Sequence, residues 1–228
     1  MACVPDERFS VLTPKGDVSA AWLAPAGPTT DPSALVVGHG AGAGMDHPFL
    51  TGFCRAMADE GVATLRFNFP YLEAGRRSPD TPANAEGAFA AVLVAASERT
   101  HGPVFAGGKS YGGRIASMVA AQGGRNRIPP VAGLVFLGYP FHPPGRPEKV
   151  RDAHLYELSI PMLFLQGTKD PFADAEVLAS VLARLGGRAR LVPFDGAGHS
   201  FERSRKDDPR LNGATLAPHA AAFIREHS

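Results

Sequence analysis

The segment VFAGGKSYGGR, residues 104–114, contains two overlapping motifs. The tripeptide GKS at 108–110 matches the end of a phosphate-binding loop, whereas residues 108–112 match the pattern G-x-S-x-G. The phosphate-binding loop needs a glycine where this chain has Pro103, which has no N–H group to offer an anion. Apolar residues before the motif favour a strand, and those after it favour a helix. The segment therefore predicts a strand, a tight turn that exposes Ser110, and a helix.

Helical patterns alternate with short apolar, β-branched runs along most of the chain. They cover about 47–60, 81–99, 111–122, 174–185 and 214–226. Thr81 or Asp80 can accept hydrogen bonds from the first-turn N–H groups of the second helix. Gly61 and Gly186 can adopt the left-handed conformation that ends a helix. We expect the polar stretch 201–213 to be a loop before the final helix.

The apolar runs between these helices lack polar alternation, as strands do when both faces of a parallel sheet are covered. Two extended segments within 7–25 flank the turn signal PKGD at 14–17, which indicates an N-terminal hairpin. We therefore expect an α/β fold with a mostly parallel, doubly wound sheet and an N-terminal antiparallel hairpin. No domain boundary is visible, so the prediction is a single domain over 1–228.

The composition is that of an ordinary globular protein, with 44% hydrophobic and 20% charged residues. A net charge of +1 creates no field that favours nucleic acid or an anionic membrane, so we expect a small-molecule substrate as the partner. Cys3 and Cys54 do not form a disulfide framework. Asp6 and Glu7 stand where a secretory signal would be basic and then apolar. The expected location is the cytoplasm, with no membrane segment.

Ser110 needs a general base, because a serine hydroxyl is hardly ionised at neutral pH. His199 lies in DGAGHSF, just past the last predicted strand. A glycine-flanked loop at this position can carry the ring back over the carboxyl edge of the sheet. His39, in the loop after the third strand, is expected to support that loop through hydrogen bonds.

A carboxylate must orient the imidazole and stabilise its developing charge. Asp170 follows MLFLQGTK and so leaves the strand before the one that leads to His199. Asp174 begins the next helix, where an acid stabilises the N-terminus. Asp195, four residues before His199, is expected to be a turn residue. We therefore predict a triad of Ser110, Asp170 and His199, which requires no metal and no cofactor.

The tetrahedral intermediate of such a reaction needs two N–H groups directed at its oxyanion. One should come from Tyr111, which starts the helix after the nucleophile. The other should come from the glycine-rich loop HGAGAGMDHP, where Ala41 is favoured and Gly42 is the alternative.

Several cations follow the predicted strands near the expected cleft. Arg66 ends the fourth strand and Arg76 lies in the loop after it, so both are candidates for binding an acidic group of the substrate. Arg77 and Lys109 have similar positions, but the sequence does not determine where their side chains point.

Over nearly its full length the chain resembles the α/β-hydrolases, with Ser110, Asp170 and His199 at that family's triad positions. GGKSYGGR, LGYPFHPPGRPEK and QGTKDPF resemble a branch of predicted hydrolases related to dienelactone hydrolases. Dienelactone hydrolases proper use a cysteine where this chain has Ser110, so their substrate is not carried over. The resemblance implies the fold and the triad, and it gives no established substrate. We expect a serine hydrolase that cleaves a small carboxylic ester, thioester or lactone. The alternative is a catalytically silent hydrolase fold that serves as a binding or scaffolding module.

The segment 141–160 joins the sixth and seventh predicted strands. Larger lipases and esterases carry a helical cap in this place. Here the connection is short, and Pro143, Pro144 and Pro147 disfavour a helix over its first half. We therefore expect no cap domain, an open site and a preference for short acyl groups.

Overall fold

The chain begins with an antiparallel hairpin, as the turn signal at 14–17 indicated. The computed structural model describes residues 5–123 and 128–228, so Cys3 lies outside the described residues. Strands β1 (Glu7–Thr13) and β2 (Gly16–Leu23) pair antiparallel along their full length. Gly16 has a φ of 102°, a conformation that glycine adopts without steric cost.

Six further strands extend this hairpin into an eight-stranded sheet. They are β3 (Ala34–Gly38), β4 (Ala63–Phe67), β5 (Val104–Lys109), β6 (Leu134–Leu137), β7 (Met162–Gly167) and β8 (Ala189–Phe194). The strand order is β1-β2-β4-β3-β5-β6-β7-β8, and β3 to β8 all run parallel. The prediction of a mostly parallel sheet with an antiparallel N-terminal hairpin is confirmed. Its consequence for the site is that β3 to β8 end at one edge.

The helices cover both faces of this sheet. They are α1 (Pro48–Asp59), α2 (Pro70–Glu73), α3 (Pro82–Ser97), α4 (Tyr111–Ala120), α5 (Ala175–Leu185), α6 (Pro209–Ala214) and α7 (Ala217–Glu226). Strand β5 shows why both faces need cover. Val104 and Ala106 pack in the core that includes α3 and α4, whereas Phe105 packs in the core that includes α1 and α7. This is the period-two alternation of a strand that is buried on both sides.

All five predicted helices are present, and two short ones were missed. The expectation of a loop throughout 201–213 is wrong at its end, where α6 begins after Asp208. The Asp208 carboxylate accepts a hydrogen bond from the N–H of Arg210 at 2.8 Å, and α6 packs against α1. Helix α2 begins at Pro70, a residue suited to the first helical turn. Thr81 is the N-cap residue of α3, but the expected side-chain cap is wrong, since the helix start has no side-chain cap hydrogen bond and Asp80 instead accepts from Arg76. Gly61 and Gly186 have the positive φ expected after a helix.

Cys54 has a free thiol and is buried on α1. Burial raises the pKa of this thiol to about 11, which keeps it protonated at neutral pH. Within the described ranges, no helix combines the length and the apolar character that crossing a bilayer requires.

Candidate active site

Ser110 occupies a strained turn between β5 and α4. Its backbone has φ 50° and ψ −112°, which places a non-glycine residue in a sparsely populated region. The Ser110 N–H donates to the carbonyl of Leu137, at the end of the neighbouring β6, at 3.2 Å. The strand, turn and helix predicted from residues 104–114 are therefore present. The turn lifts the serine side chain above the carboxyl edge of the sheet.

Two glycines allow this turn to pack against the end of β3. A Cβ atom added at Gly112 would lie 2.2 Å from the carbonyl oxygen of Gly38, and one added at Gly108 would lie equally close to the same atom. Gly108 also has a φ of 149°, which L side chains rarely adopt. The spacing G-x-S-x-G thus follows from a close approach between the turn and β3.

The structure brings the three predicted triad residues together. His199 lies in the loop after β8, and its Nε2 is 2.8 Å from the Oγ of Ser110. Its Nδ1 is 2.7 Å from Oδ2 of Asp170, which lies just after β7. Ser110, His199 and Asp170 therefore form a continuous chain of hydrogen bonds. The Asp170 carboxylate can only accept a hydrogen bond, so neutral His199 carries its proton on Nδ1. The lone pair on Nε2 is then free to accept a hydrogen bond from the Ser110 hydroxyl.

Asp170 is buried, and two groups besides His199 hold it. Its Oδ1 accepts from the N–H of Phe172 at 2.9 Å, and its Oδ2 accepts from Nε2 of Gln166 at 2.5 Å. The Oε1 of Gln166 in turn accepts from the N–H of Tyr139 at 2.9 Å. Our sequence analysis missed Gln166, although a polar residue in the otherwise apolar run MLFLQG was a usable signal.

The surroundings of His199 favour its neutral form. Burial lowers the pKa of His199 below its ordinary value, and the Lys109 cation acts in the same direction, while Asp170 opposes both. The ring of Phe172 lies 4.3 Å from the imidazole, centroid to centroid. A base that stays unprotonated at and below neutral pH is suited to accept a proton from Ser110.

Lys109 precedes the nucleophile and is only 8% exposed. Burial lowers the pKa of Lys109 to about 7, against the attraction of Asp170 and Glu202. Its side chain lines the cleft above Ser110. The direction of the Lys109 side chain, which the sequence did not determine, is therefore toward Ser110, His199 and Asp170.

Two N–H groups are available for an oxyanion near Ser110. Tyr111 is the first residue of α4, so its N–H has no acceptor within the helix. Ala41 lines the same cleft as Ser110, in the loop after β3. The N–H of Gly42 instead donates to the hydroxyl of Tyr71 at 2.9 Å. Of the two candidates in this loop, Gly42 therefore has an acceptor within the protein, and Ala41 stays our prediction for the oxyanion.

The arginines expected to bind an acidic substrate group lie elsewhere. Arg66 is buried, and its guanidinium donates to Asp6 at 2.6 and 3.0 Å and to Asp46 at 3.3 Å. Arg76 pairs with Asp80 at 2.6 Å. Neither lines the cleft. Our assignment of Arg66 and Arg76 to substrate binding is therefore corrected, because carboxylates of the protein already occupy both guanidiniums.

The remaining sequence candidates have structural roles. Asp174 caps α5 by accepting from the N–H groups of Glu176 and Val177. Asp195 accepts from the Thr168 hydroxyl at 3.3 Å. The Nε2 of His39 accepts from the N–H of Phe69 at 3.2 Å, and burial lowers the pKa of His39 to about 4.

A second serine hydroxyl also contacts a histidine. The Oγ of Ser117 lies 2.8 Å from Nε2 of His154, but it also lies 2.8 Å from the carbonyl of Arg114, to which it can donate. Ser117 is fully buried. In the part of the chain that the structure describes, no carboxylate pairs with His154. The Ser117 pair therefore lacks both the exposure and the acid that the Ser110 triad has.

The cleft above Ser110 has a volume of about 360 Å³. Its walls come from the loops and first helical turns that follow five parallel strands, and they include His47, Leu50, Tyr111, Arg114, Arg151 and Phe172. A cleft at the carboxyl edge of a parallel sheet is the usual place for a ligand site in this architecture. Its size suits a small molecule.

Comparison with known proteins places this geometry in a family. A sequence profile described as "Alpha/beta hydrolase domain" matches residues 31–226. Among solved structures, an alpha-beta serine hydrolase homologue from Coxiella burnetii is 20% identical, with 97% of each chain covered and a TM-score of 0.73. A dienelactone hydrolase from Anabaena variabilis is 20% identical, with 99% of each chain covered and a TM-score of 0.72.

A third solved structure, from Xanthomonas campestris, is described as a serine hydrolase without a lid. It is 18% identical, with 98% of this chain and 97% of that chain covered and a TM-score of 0.72. At such low identity these likenesses establish a shared fold. Together with the match over most of the sequence, they show that the chain belongs to the alpha/beta hydrolase domain family.

Proposed function

We propose that this protein is a serine hydrolase that cleaves a small carboxylic ester, thioester or lactone through an acyl-enzyme. The observation that carries the proposal is the hydrogen-bonded chain from Ser110 through His199 to Asp170. The strained turn at Ser110 and the cleft above it support the same conclusion. The similarity to proteins named as serine hydrolases and dienelactone hydrolase is consistent with it.

In the first half of the reaction, the Oγ of Ser110 attacks the carbonyl carbon while its proton moves to Nε2 of His199. Asp170 stabilises the imidazolium that forms. The N–H groups of Ala41 and Tyr111 stabilise the oxyanion of the tetrahedral intermediate. Collapse of this intermediate breaks the bond to the leaving group, which takes the proton from His199.

In the second half, water attacks the acyl-serine and gives its proton to His199. The second tetrahedral intermediate collapses to release the acid, and Ser110 recovers its proton. Each proton that His199 accepts is returned in the same half-reaction. The cycle therefore needs only water besides the substrate.

Labelling with a fluorophosphonate tests this proposal. The wild-type protein should be labelled, and Ser110→Ala should lose both labelling and ester hydrolysis, the latter by about 10⁴-fold or more. Ser117→Ala is the matched control, since Ser117 also contacts a histidine, and it should keep its label. Absence of label from the folded wild-type protein would favour the silent binding module instead. Equal labelling of the wild type and Ser110→Ala would disprove Ser110 as the nucleophile.

A further inference from the structure

Two arginines line the cleft without an acidic partner. Arg114 lies on α4 and Arg151 lies in the connection between β6 and β7. Throughout the described residues, neither guanidinium has a carboxylate within ion-pair distance. Some arginines away from the cleft, including Arg66 and Arg190, do have such partners. The cleft thus holds positive charge that the folded chain itself does not neutralise.

The two cations also lie near each other. Burial and the neighbouring Arg114 both lower the pKa of Arg151, and Arg114 lowers the pKa of His154 as well. Like charges held together in a partly desolvated cleft repel each other, and an anion placed between them would relieve that repulsion. A guanidinium also presents paired donors that match the two oxygens of a carboxylate.

Donor groups on the same wall are unused. The Nε of Arg114 and the hydroxyl of Tyr111 are buried without a hydrogen-bond partner in the described structure. Buried polar groups are nearly always hydrogen-bonded in folded proteins. The Arg114 guanidinium therefore has an unused donor of its own, and the Tyr111 hydroxyl adds a second, so this wall can receive an acceptor.

Arg114 is close to the reacting centre. Its N–H donates to the carbonyl of Ser110 at 3.1 Å, so Arg114 lies in the first turn of α4, directly after the turn that holds Ser110. Both residues line the same cleft. A substrate carboxylate bound by Arg114 would therefore be only a few bonds, within the substrate, from the carbonyl that Ser110 attacks.

We infer that this wall, formed by Tyr111, Arg114 and Arg151, binds a carboxylate carried by the substrate. The inference rests on the proposed function and narrows its substrate class. The substrate is then a small ester, thioester or lactone with a free carboxylate, such as a half-ester of a short dicarboxylic acid.

Paired substrates test the inference. The p-nitrophenyl monoester of glutarate and p-nitrophenyl pentanoate have acyl chains of equal length, and they differ in charge. The matching pair with the charge in the leaving group is 4-acetoxy-3-nitrobenzoate and o-nitrophenyl acetate. The measured quantity is the ratio of kcat/KM for the anionic ester to that for its neutral partner, after subtraction of spontaneous hydrolysis. The wild type should prefer the anionic member of at least one pair.

Substitution of either arginine should remove that preference. Arg114→Gln and Arg151→Gln should each lower the ratio about tenfold or more, and Arg114→Lys should retain part of it. Arg190→Gln is the matched control, because Arg190 lies at the start of β8, is exposed, and forms an ion pair with Glu226. It should leave the ratio unchanged. A wild type that prefers both neutral esters, or a ratio that Arg114→Gln leaves at the wild-type value, would overturn the inference.

A binding measurement separates this inference from the proposed function. Calorimetric titration of glutarate into Ser110→Ala should show binding that is lost in Ser110→Ala/Arg114→Gln. If glutarate binding depends on Arg114 but the wild type takes no fluorophosphonate label, the anion site stands and the hydrolase mechanism fails. If the wild type is labelled but glutarate does not bind, the carboxylate site fails alone. Inorganic phosphate is the comparison anion, and binding of phosphate without glutarate would also overturn the assignment.

Discussion

At the residue scale, the position of Asp170 explains how one carboxylate among several is selected to face His199. Its two oxygens accept from three different groups, the ring of His199, the side chain of Gln166 and the N–H of Phe172. Asp195 is nearer to His199 in sequence, but its carboxylate faces Thr168. Proximity along the chain therefore does not determine the orienting acid.

Asp170→Asn should cut ester turnover by about 10⁴-fold, because the neutral amide no longer stabilises the imidazolium and its NH2 group can donate to Nδ1, which favours the wrong tautomer. Asp195→Asn is the control and should remain within about twofold of the wild type. Steady-state kinetics on a p-nitrophenyl ester measures both variants. A large loss of turnover in Asp195→Asn with nearly normal turnover in Asp170→Asn would show that the orienting acid is misassigned.

Lys109 lowers stability in a pH-dependent way. Its pKa is about 7 in the folded protein, against an ordinary lysine pKa of 10.5, so the unfolded chain binds more protons between these values and stability rises with pH across that window. Lys109→Met should therefore stabilise the protein at pH 6, by about 2–4 kcal/mol, and give little gain near pH 10.5. Urea denaturation at both pH values measures the difference. The exposed Lys206 provides the control Lys206→Met, and an equal gain from that variant would contradict the role of burial.

The same substitution should change the pH profile of catalysis. The Lys109 cation helps to lower the pKa of His199, and the reaction needs His199 neutral. In Lys109→Met the acidic limb of kcat/KM should move to higher pH, so that activity is lost sooner on acidification. A limb that stays in place, or that moves to lower pH, would show that Lys109 does not act on His199 through its charge.

At the scale of elements, the active site depends on how closely the turn before α4 packs on β3. The backbone atoms of Gly112 and Gly38 leave no room for a side chain between them. Helix α4 begins at this contact, and its first residue, Tyr111, carries one of the two amides that we propose for the oxyanion. A small displacement of α4 would therefore disturb both the position of Ser110 and the proposed oxyanion site.

Gly112→Ala should destabilise the fold by several kcal/mol and abolish activity, because its Cβ would lie 2.2 Å from the backbone of Gly38. Gly87→Ala provides the matched control within α3, where the new Cβ would meet only the ring of Pro14 at 3.4 Å. It should be neutral or stabilising by up to about 1 kcal/mol, as alanine is in a helix interior. Thermal denaturation compares the two. Equal melting temperatures would refute the packing argument.

At the scale of the whole molecule, the open cleft follows from a short connection between β6 and β7. Only one turn of 3₁₀ helix, Ala153–Glu157, lies between Leu137 and Met162. The cleft is therefore walled by loops at the edge of the sheet and holds about 360 Å³. A long alkyl chain would extend beyond these walls into water.

Specificity should accordingly decline beyond about four to six acyl carbons. A methylene contributes about 0.8 kcal/mol where a pocket buries it, and close to nothing where it stays in water. The measurement is kcat/KM along p-nitrophenyl esters from acetate to laurate, with and without an emulsion interface. We expect no activation at the interface. A steady rise to laurate, roughly fourfold per methylene if each were buried, would contradict the open cleft.

The local pattern was sufficient to predict the turn at Ser110, the eight strands, the five longer helices, and that His199 lies within hydrogen-bond distance of both Ser110 and Asp170. These features depend on near neighbours in sequence or on the rule that parallel strands end at one edge. The helix α6 was missed because DDPRLNG is polar, and its packing against α1 comes from a distant part of the chain. Gln166 was missed for a similar reason, since its partners Tyr139 and Asp170 meet only in the folded sheet.

The arginines show which properties the sequence alone does not determine, since the partners of their side chains depend on the tertiary structure. Arg66 lies near the end of β4, yet its guanidinium is held by Asp6, 60 residues away. Arg114 lies four residues after Ser110 and was not predicted to have a role, yet it lines the cleft and has no ion-pair partner among the described residues. A long charged side chain reaches any of several neighbours, and its free energy depends on which carboxylates the fold brings within reach. The sequence therefore determines which chemistry is present, whereas tertiary contacts determine which charges remain available for a substrate.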